Sequence, residues 1–298
     1  MDQDVVRAIV ETDYAVPAGQ TVEGLTALLL SALGSPDPAL REPAPEIIDI
    51  WIGRGLYTAA RLREMAVRMV DNLAVGLGDY GADTMFLRAF SLLVLTSIVN
   101  QDIMHPFYDE PEVRVILDRV LAYVGAERDL RGYVPGAGWA HAAAHSGDML
   151  WVFASHHHLN ATDLERVLDA VAALVAPPMA HVYLYNEDER LAHAALGVLC
   201  RDLVPPPAVD AWLDRLVRPD GRDLGFDALL SQPAASIRHN VIAFLRALYF
   251  QVAGLTYAPE ALPPGLPDYI AAQIRQAPSV AGFLLPSITH ALRAINVF

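Results

Sequence analysis

His141, His145 and Asp148 stand at i, i+4 and i+7. On a helix these three side chains would share one face over two turns. Two imidazoles and a carboxylate so arranged suit two chemistries. They can hold a divalent metal ion if another element supplies a further ligand. They can also form a neutral hydrogen-bonded network in which the carboxylate fixes a histidine tautomer. The surrounding Ala142, Ala143, Ala144, Ser146 and Gly147 are small, so a second helix or a ligand can come close. The approach segment brings Glu127, Arg128, Asp129 and Arg131, then Gly132, Pro135, Gly136, Gly138 and Trp139. That is a shaped loop, and it delivers carboxylates and guanidiniums to the start of the histidine helix.

Glu187, Asp188 and Glu189, followed by Arg190, open a later helix and are the available further ligands. Asp188 and Glu189 also suit a helix N-terminus by capping and dipole. Three readings stay open. One is a buried His/Asp network that locks the loop. Another is a binding site for a small polar ligand or a peptide, needing no cofactor. The last is a metal-dependent hydrolase with His141, His145 and Asp148 as ligands and Glu187 or Asp188 as ligand or general base. His-x-x-x-His here lacks the Glu that follows the first His in zincins. No catalytic residue is assigned. His156, His157 and His158 follow the helix and read as a solvated C-terminal turn.

These residues need helices to position them, and the chain supplies helical periodicity nearly throughout. Apolar spacing and breakers predict helices at about 22–33, then to about 52, 58–75, 83–100, 110–125, 138–154, 161–175, 186–202, 207–217 and 234–254. Two short helical segments, near 267–276 and 284–296, follow a stretch rich in Pro and Gly. Strand signals are almost absent. Trp51, Trp139, Trp151 and Trp212 fall at helical positions and read as core.

The second helix of most pairs opens with a polar turn and an arginine: Arg41, Arg88, Arg190 and Arg238. The spacings are 47 residues from Arg41 to Arg88, 48 from Arg190 to Arg238, and 102 between. The segment Leu28 to Ala44 resembles a HEAT repeat, in which an Asp in the turn and an Arg in the next helix tie neighbouring units. The expected fold is therefore all-α. It would be a right-handed α-α superhelix of about five hairpins over residues 20–255 with a helical tail at 256–298, forming a single domain. The third pair breaks the pattern, with Ala140 where the arginine would stand. Adjacent repeats would place its imidazoles beside the acidic start of the fourth pair. A closed α/α toroid with paired carboxylates is a further option, although five hairpins are few for such a ring.

Composition narrows the function. The 298 residues are 54% hydrophobic with a formal net charge of −14, and mean hydropathy is +0.30. Disorder does not fit so apolar a chain. The negative field disfavours nucleic acid and anionic lipid. The run 89–99 is shorter than a bilayer requires. There is no lysine, which removes Schiff-base and P-loop chemistry. A single cysteine, Cys200 in an apolar run, and an acidic N-terminus suit the cytoplasm. A protein or peptide partner is expected on such a surface, and oligomeric state is not legible.

Glu127 to Asp148, with its Arg-Gly-Tyr, Gly-Trp-Ala-His and Ala-His-x-x-Asp elements, resembles an uncharacterised bacterial family, domain of unknown function (DUF) 2785. The stretches Phe86–Ser91, Glu187–Leu191 and Phe244–Phe250 are similar to it too. Such proteins usually carry Lys where this chain has Ala137. The resemblance implies an all-helical protein and no particular activity.

Overall fold

The computed structural model describes residues 3–257 and 268–295. Helices dominate, and the chain divides into two compact units, Met1–Met149 and Leu150–Phe298. An all-α fold is what the apolar periodicity required.

The first unit is built on α1 (Gln3–Glu11), α2 (Val22–Ala32), α3 (Pro38–Arg41), α4 (Pro43–Gly53), α5 (Ala59–Asn72), α6 (Thr84–Met104) and α7 (Glu110–Ala126). Thr21, Thr58 and Asp109 start α2, α5 and α7 by accepting bonds from Gly24, Arg61 and Glu112 amides. Asp109 and Glu112 complete a reciprocal capping box. Helix α6 is the core, with α4 and α5 packed against it. By length and composition alone α6 could cross a membrane, but 61% of its apolar window is buried inside the protein. That burial is what a core helix shows.

The main departure from the periodicity lies between α7 and α8 (Ala142–Ser155). Residues expected to begin a helix at 138 instead form a small antiparallel hairpin, β1 (Tyr133–Val134) and β2 (Gly138–Trp139). Pro135 and Gly136 make its turn. Gly136 has φ +81°, and the Ala137 amide donates to the Val134 carbonyl at 3.0 Å, as in a type II turn. Gly138, at φ +80°, cannot be replaced. A Cβ there would run into Glu42 and Pro38. His141, at φ +54°, turns the chain in the left-handed region before α8 begins. The helix is thus delayed by backbone conformations that a helix cannot contain.

The second unit contains α9 (Ala161–Val175), α10 (Glu187–Leu199), α11 (Pro206–Val217), α12 (Gln232–Tyr257) and α13 (Asp268–Ile295), together with the end of α8. Asn160 and Asp163 cap α9 reciprocally. Helices α9 and α12 flank α10, and α13 lies on α12 and α11. Trp212 on α11 is buried and donates from its indole to the Leu168 carbonyl at 2.8 Å. The two short tail segments expected are one continuous helix containing Pro278 and Pro286. Each proline removes a single donor, and packing on α12 sustains the rest. The stretch 259–267, rich in Pro and Gly, lies outside the described residues.

His156 is buried, so the triple-histidine run is not a wholly solvated turn. Its ring nitrogen faces the His158 amide at 3.2 Å. Arg201 closes this end of α8 by donating to the carbonyls of Ala154, His156 and Leu159. Cys200 is buried, and burial pushes its thiol up to about 12, so it is an inert packing residue at neutral pH.

Candidate functional site

The segment from Glu127 to His141 is pinned to the first unit at both ends. At its start, Glu127 is buried and receives two bonds from Arg88, Nε at 2.6 Å and a terminal nitrogen at 2.9 Å. The main-chain amides of Arg128 and Asp129 also donate to Glu127, each at 2.9 Å. Arg88 spends its remaining nitrogen on the carbonyls of Val75 and Gly76 and on the Thr84 hydroxyl. Burial lowers its pKa, but the Glu127 bonds outweigh this and hold it above the ordinary arginine value. Two residues on, buried Asp129 accepts a bidentate pair from Arg131, both bonds at 2.7 Å, and the Gly81 amide at 2.8 Å. The hydrogen bonds to Asp129 raise the Arg131 pKa above the ordinary arginine value, against the opposing effect of burial.

At the other end, Arg41 reaches from α3 to the carbonyls of Ala137 and Trp139. Glu42 accepts from the Trp139 amide at 3.0 Å. Val134 and Ala137 pack on Met85, Phe86 and Ala140, which seats the hairpin over the N-terminal end of α6. The carboxylates and guanidiniums of the approach loop therefore act on the loop itself. They fix its path.

This frame holds a row of rings. The Trp139 and His141 rings stack, with centroids 4.3 Å apart and planes 15° from parallel. Tyr133 meets Trp139 edge-on at 5.0 Å. Tyr133 is 46% exposed, while Trp139 and His141 are half-buried. Trp139 is thus neither helical nor fully core, unlike Trp51 and Trp212. His145 lies behind the row, 5.8 Å from His141 and edge-on to Phe90 at 5.5 Å. It is buried, and its Nδ1 faces the Ala89 carbonyl at 3.1 Å. A carbonyl can only accept, so Nδ1 carries the proton.

His141 and His145 do not share a helical face, because His141 precedes α8 and His145 is inside it. Asp148 is half-buried further along α8. Among the described residues, no three His, Cys, Asp or Glu side chains form a group that could hold a metal ion. The i, i+4, i+7 spacing failed as a guide because its first member is not helical.

The remaining candidates belong to the second unit. Glu187 is buried at the start of α10 and accepts the Tyr185 amide at 2.7 Å. Burial is the main reason its pKa is raised. Asp188 is half-buried and Arg190 is exposed. Asn186, at φ +63°, turns the chain into this helix.

Sequence reasoning missed Tyr133 as part of the ring row, and Arg41 and Glu42 as holders of the hairpin. Arg41 was visible as a repeat arginine, but nothing local in the sequence announces a partner 96 residues away.

The family model described as "Protein of unknown function (DUF2785)" matches residues 73–250. No curated protein and no solved structure matches the chain.

Proposed function

Since the chain belongs to the DUF2785 family of proteins of unknown function, we propose that it is a binding protein whose Tyr133–Trp139–His141 ring row receives a cationic segment of a protein partner. The observation that carries this is the stack of Trp139 on His141, kept partly open on a frame of ion pairs to the buried carboxylates of Glu127 and Asp129. Rings fixed before binding lose little freedom when a partner arrives. Their faces attract a guanidinium or ammonium group, and a net charge of −14 draws cationic partners from a distance. The left-handed His141 adds support, since backbone strain in a non-glycine residue tends to gather at working sites. The same reading takes the packed hairpins within each unit as HEAT-like repeats and places the protein in the cytoplasm, in keeping with its one buried thiol.

The test uses short basic, neutral and acidic peptides, with binding followed by fluorescence polarisation. Basic peptides are expected to bind, more tightly at low salt. Trp139→Ala is expected to weaken them about threefold to thirtyfold, the range for loss of a cation–π contact. The variant keeps the fold, because Arg41 and Glu42 hold the main chain of residue 139 and not its ring. Equal binding by wild type and variant, or no preference for basic peptides, overturns the reading.

A further inference from the structure

Glu42 stands at the start of α4, yet its side chain caps nothing there. It reaches to the hairpin instead, where Oε1 accepts the Trp139 amide at 3.0 Å. That amide belongs to the residue whose ring forms the middle of the row. The carboxylate therefore sits within one residue's length of the indole. The Glu42 side chain is 37% exposed, so it is open to a solute. Its Oε2 has no hydrogen-bond partner among the described residues.

The place of this carboxylate is built in. Gly138 lies against it, and a Cβ there would run into Oε1. Arg41, wholly buried, stands 3.5 Å from the same Oε1. Both contacts thus fall on one oxygen and leave the other uncommitted. Asp37 and Asp83 also stand close enough to act on the Arg41 charge. Arg131 nearby is already matched by Asp129. Carboxylates therefore outnumber guanidiniums on this side of the hairpin.

Taking the row as the cation site proposed above, we infer that Glu42 supplies its counter-charge and that the group received is an arginine side chain. A guanidinium is planar. Its face lies on an aromatic ring while its N–H edge forks onto a carboxylate. It can therefore meet the row and Glu42 together. An ammonium is a compact, strongly hydrated point charge with no flat face to lay on a ring, so lysine gains less from the same pair of contacts.

The test compares two versions of one short basic peptide, in which every basic residue is arginine or every one is lysine. Each is titrated by fluorescence polarisation against the full chain and against Glu42→Gln, which keeps an oxygen for the Trp139 amide. Wild type is expected to prefer the arginine version about threefold to tenfold, the worth of one further hydrogen bond. Glu42→Gln is expected to weaken the arginine version and to remove most of that preference. Any loosening of the hairpin by the substitution acts on both peptides, so the ratio between them isolates the contact with Glu42. Equal binding of the two versions by wild type overturns the inference. So does an arginine preference that Glu42→Gln leaves intact. If Trp139→Ala still weakens both versions in either case, the ring row stands as the cation site and only the part given to Glu42 and arginine falls. Wild type that binds neither version removes both.

Discussion

Arg41 and Arg88 are both wholly buried, and each grips one end of the segment between α7 and α8. Their surroundings differ. Arg88 is neutralised by a buried carboxylate in a two-bond fork, and its other nitrogen meets carbonyls and a hydroxyl. Arg41 lies 3.5 Å from a half-exposed Glu42, donates to main-chain carbonyls, and lies over the Phe86 and Phe90 rings at 3.9 and 5.0 Å. Its Nε is buried without a hydrogen-bond partner among the described residues. The titration directions record the contrast, because burial lowers the Arg41 pKa while Arg88 stays above its usual value. A buried guanidinium can thus be held by a full counter-charge or by many partial ones. The first arrangement fixes a loop more firmly and is the more damaging to break by halves.

The largest effect is therefore expected at Arg88. Arg88→Met leaves the Glu127 carboxylate buried without its counter-charge, while the amides of Arg128 and Asp129 still donate to it. It should cost about 3–5 kcal/mol, the usual result of removing one partner of a buried pair. Adding Glu127→Gln removes the stranded charge and keeps an acceptor for those amides, so the double variant should regain more than half of the loss. Urea unfolding of the full chain measures both. Arg41→Met should cost less, about 1–3 kcal/mol, because it strands carbonyls and no charge. The methionine can also stay in contact with the Phe86 and Phe90 rings. Hydrogen exchange at the Ala137 and Ala140 amides, which close the hairpin, should speed up in Arg41→Met before exchange within α6 does. Equal losses at the two arginines would erase the distinction drawn between them.

How far the sequence carried these features follows from how local their causes are. Periodicity and capping pairs such as Asn160 with Asp163 lie within one turn, so the main helices were readable to within a few residues. The nine-residue helix α1 is too short to stand out by apolar periodicity. The residues of the hairpin at 133–139 announce a shaped loop and no ladder. Its ladder is two residues long, and its geometry depends on the left-handed conformations at Gly136, Gly138 and His141. A Pro-Gly pair hinted at the turn, but an alanine-rich stretch downstream drew the helix boundary forward. The repeat arginines were found by spacing, yet spacing does not report surroundings. Arg41 and Arg88 are fully buried, Arg238 is half-buried with a bond to the Ile295 carbonyl, and Arg190 is exposed. Partners that lie 39 or 96 residues away in the chain leave no local trace.

The second unit offers the smallest and sharpest test of the same contrast. Glu127 and Glu187 are both buried glutamates, but Glu187 takes its hydrogen bond from the Tyr185 amide and not from a guanidinium. Burial therefore dominates, and its pKa is raised above the ordinary 4.5. The folded protein then binds this proton more tightly than the unfolded chain does. The stability linked to Glu187 is fully present below the unfolded value and is lost as pH rises through the folded one. Glu187→Gln mimics the protonated side chain and keeps an oxygen for the Tyr185 amide. At pH 4 it should melt within about a degree of wild type. At pH 7 it should melt above wild type. Glu127→Gln should do the reverse at pH 7 and melt lower, because it leaves the Arg88 guanidinium buried without its counter-charge. Melting curves at the two pH values that gave both substitutions the same sign would show that the arginine does not distinguish the two carboxylates.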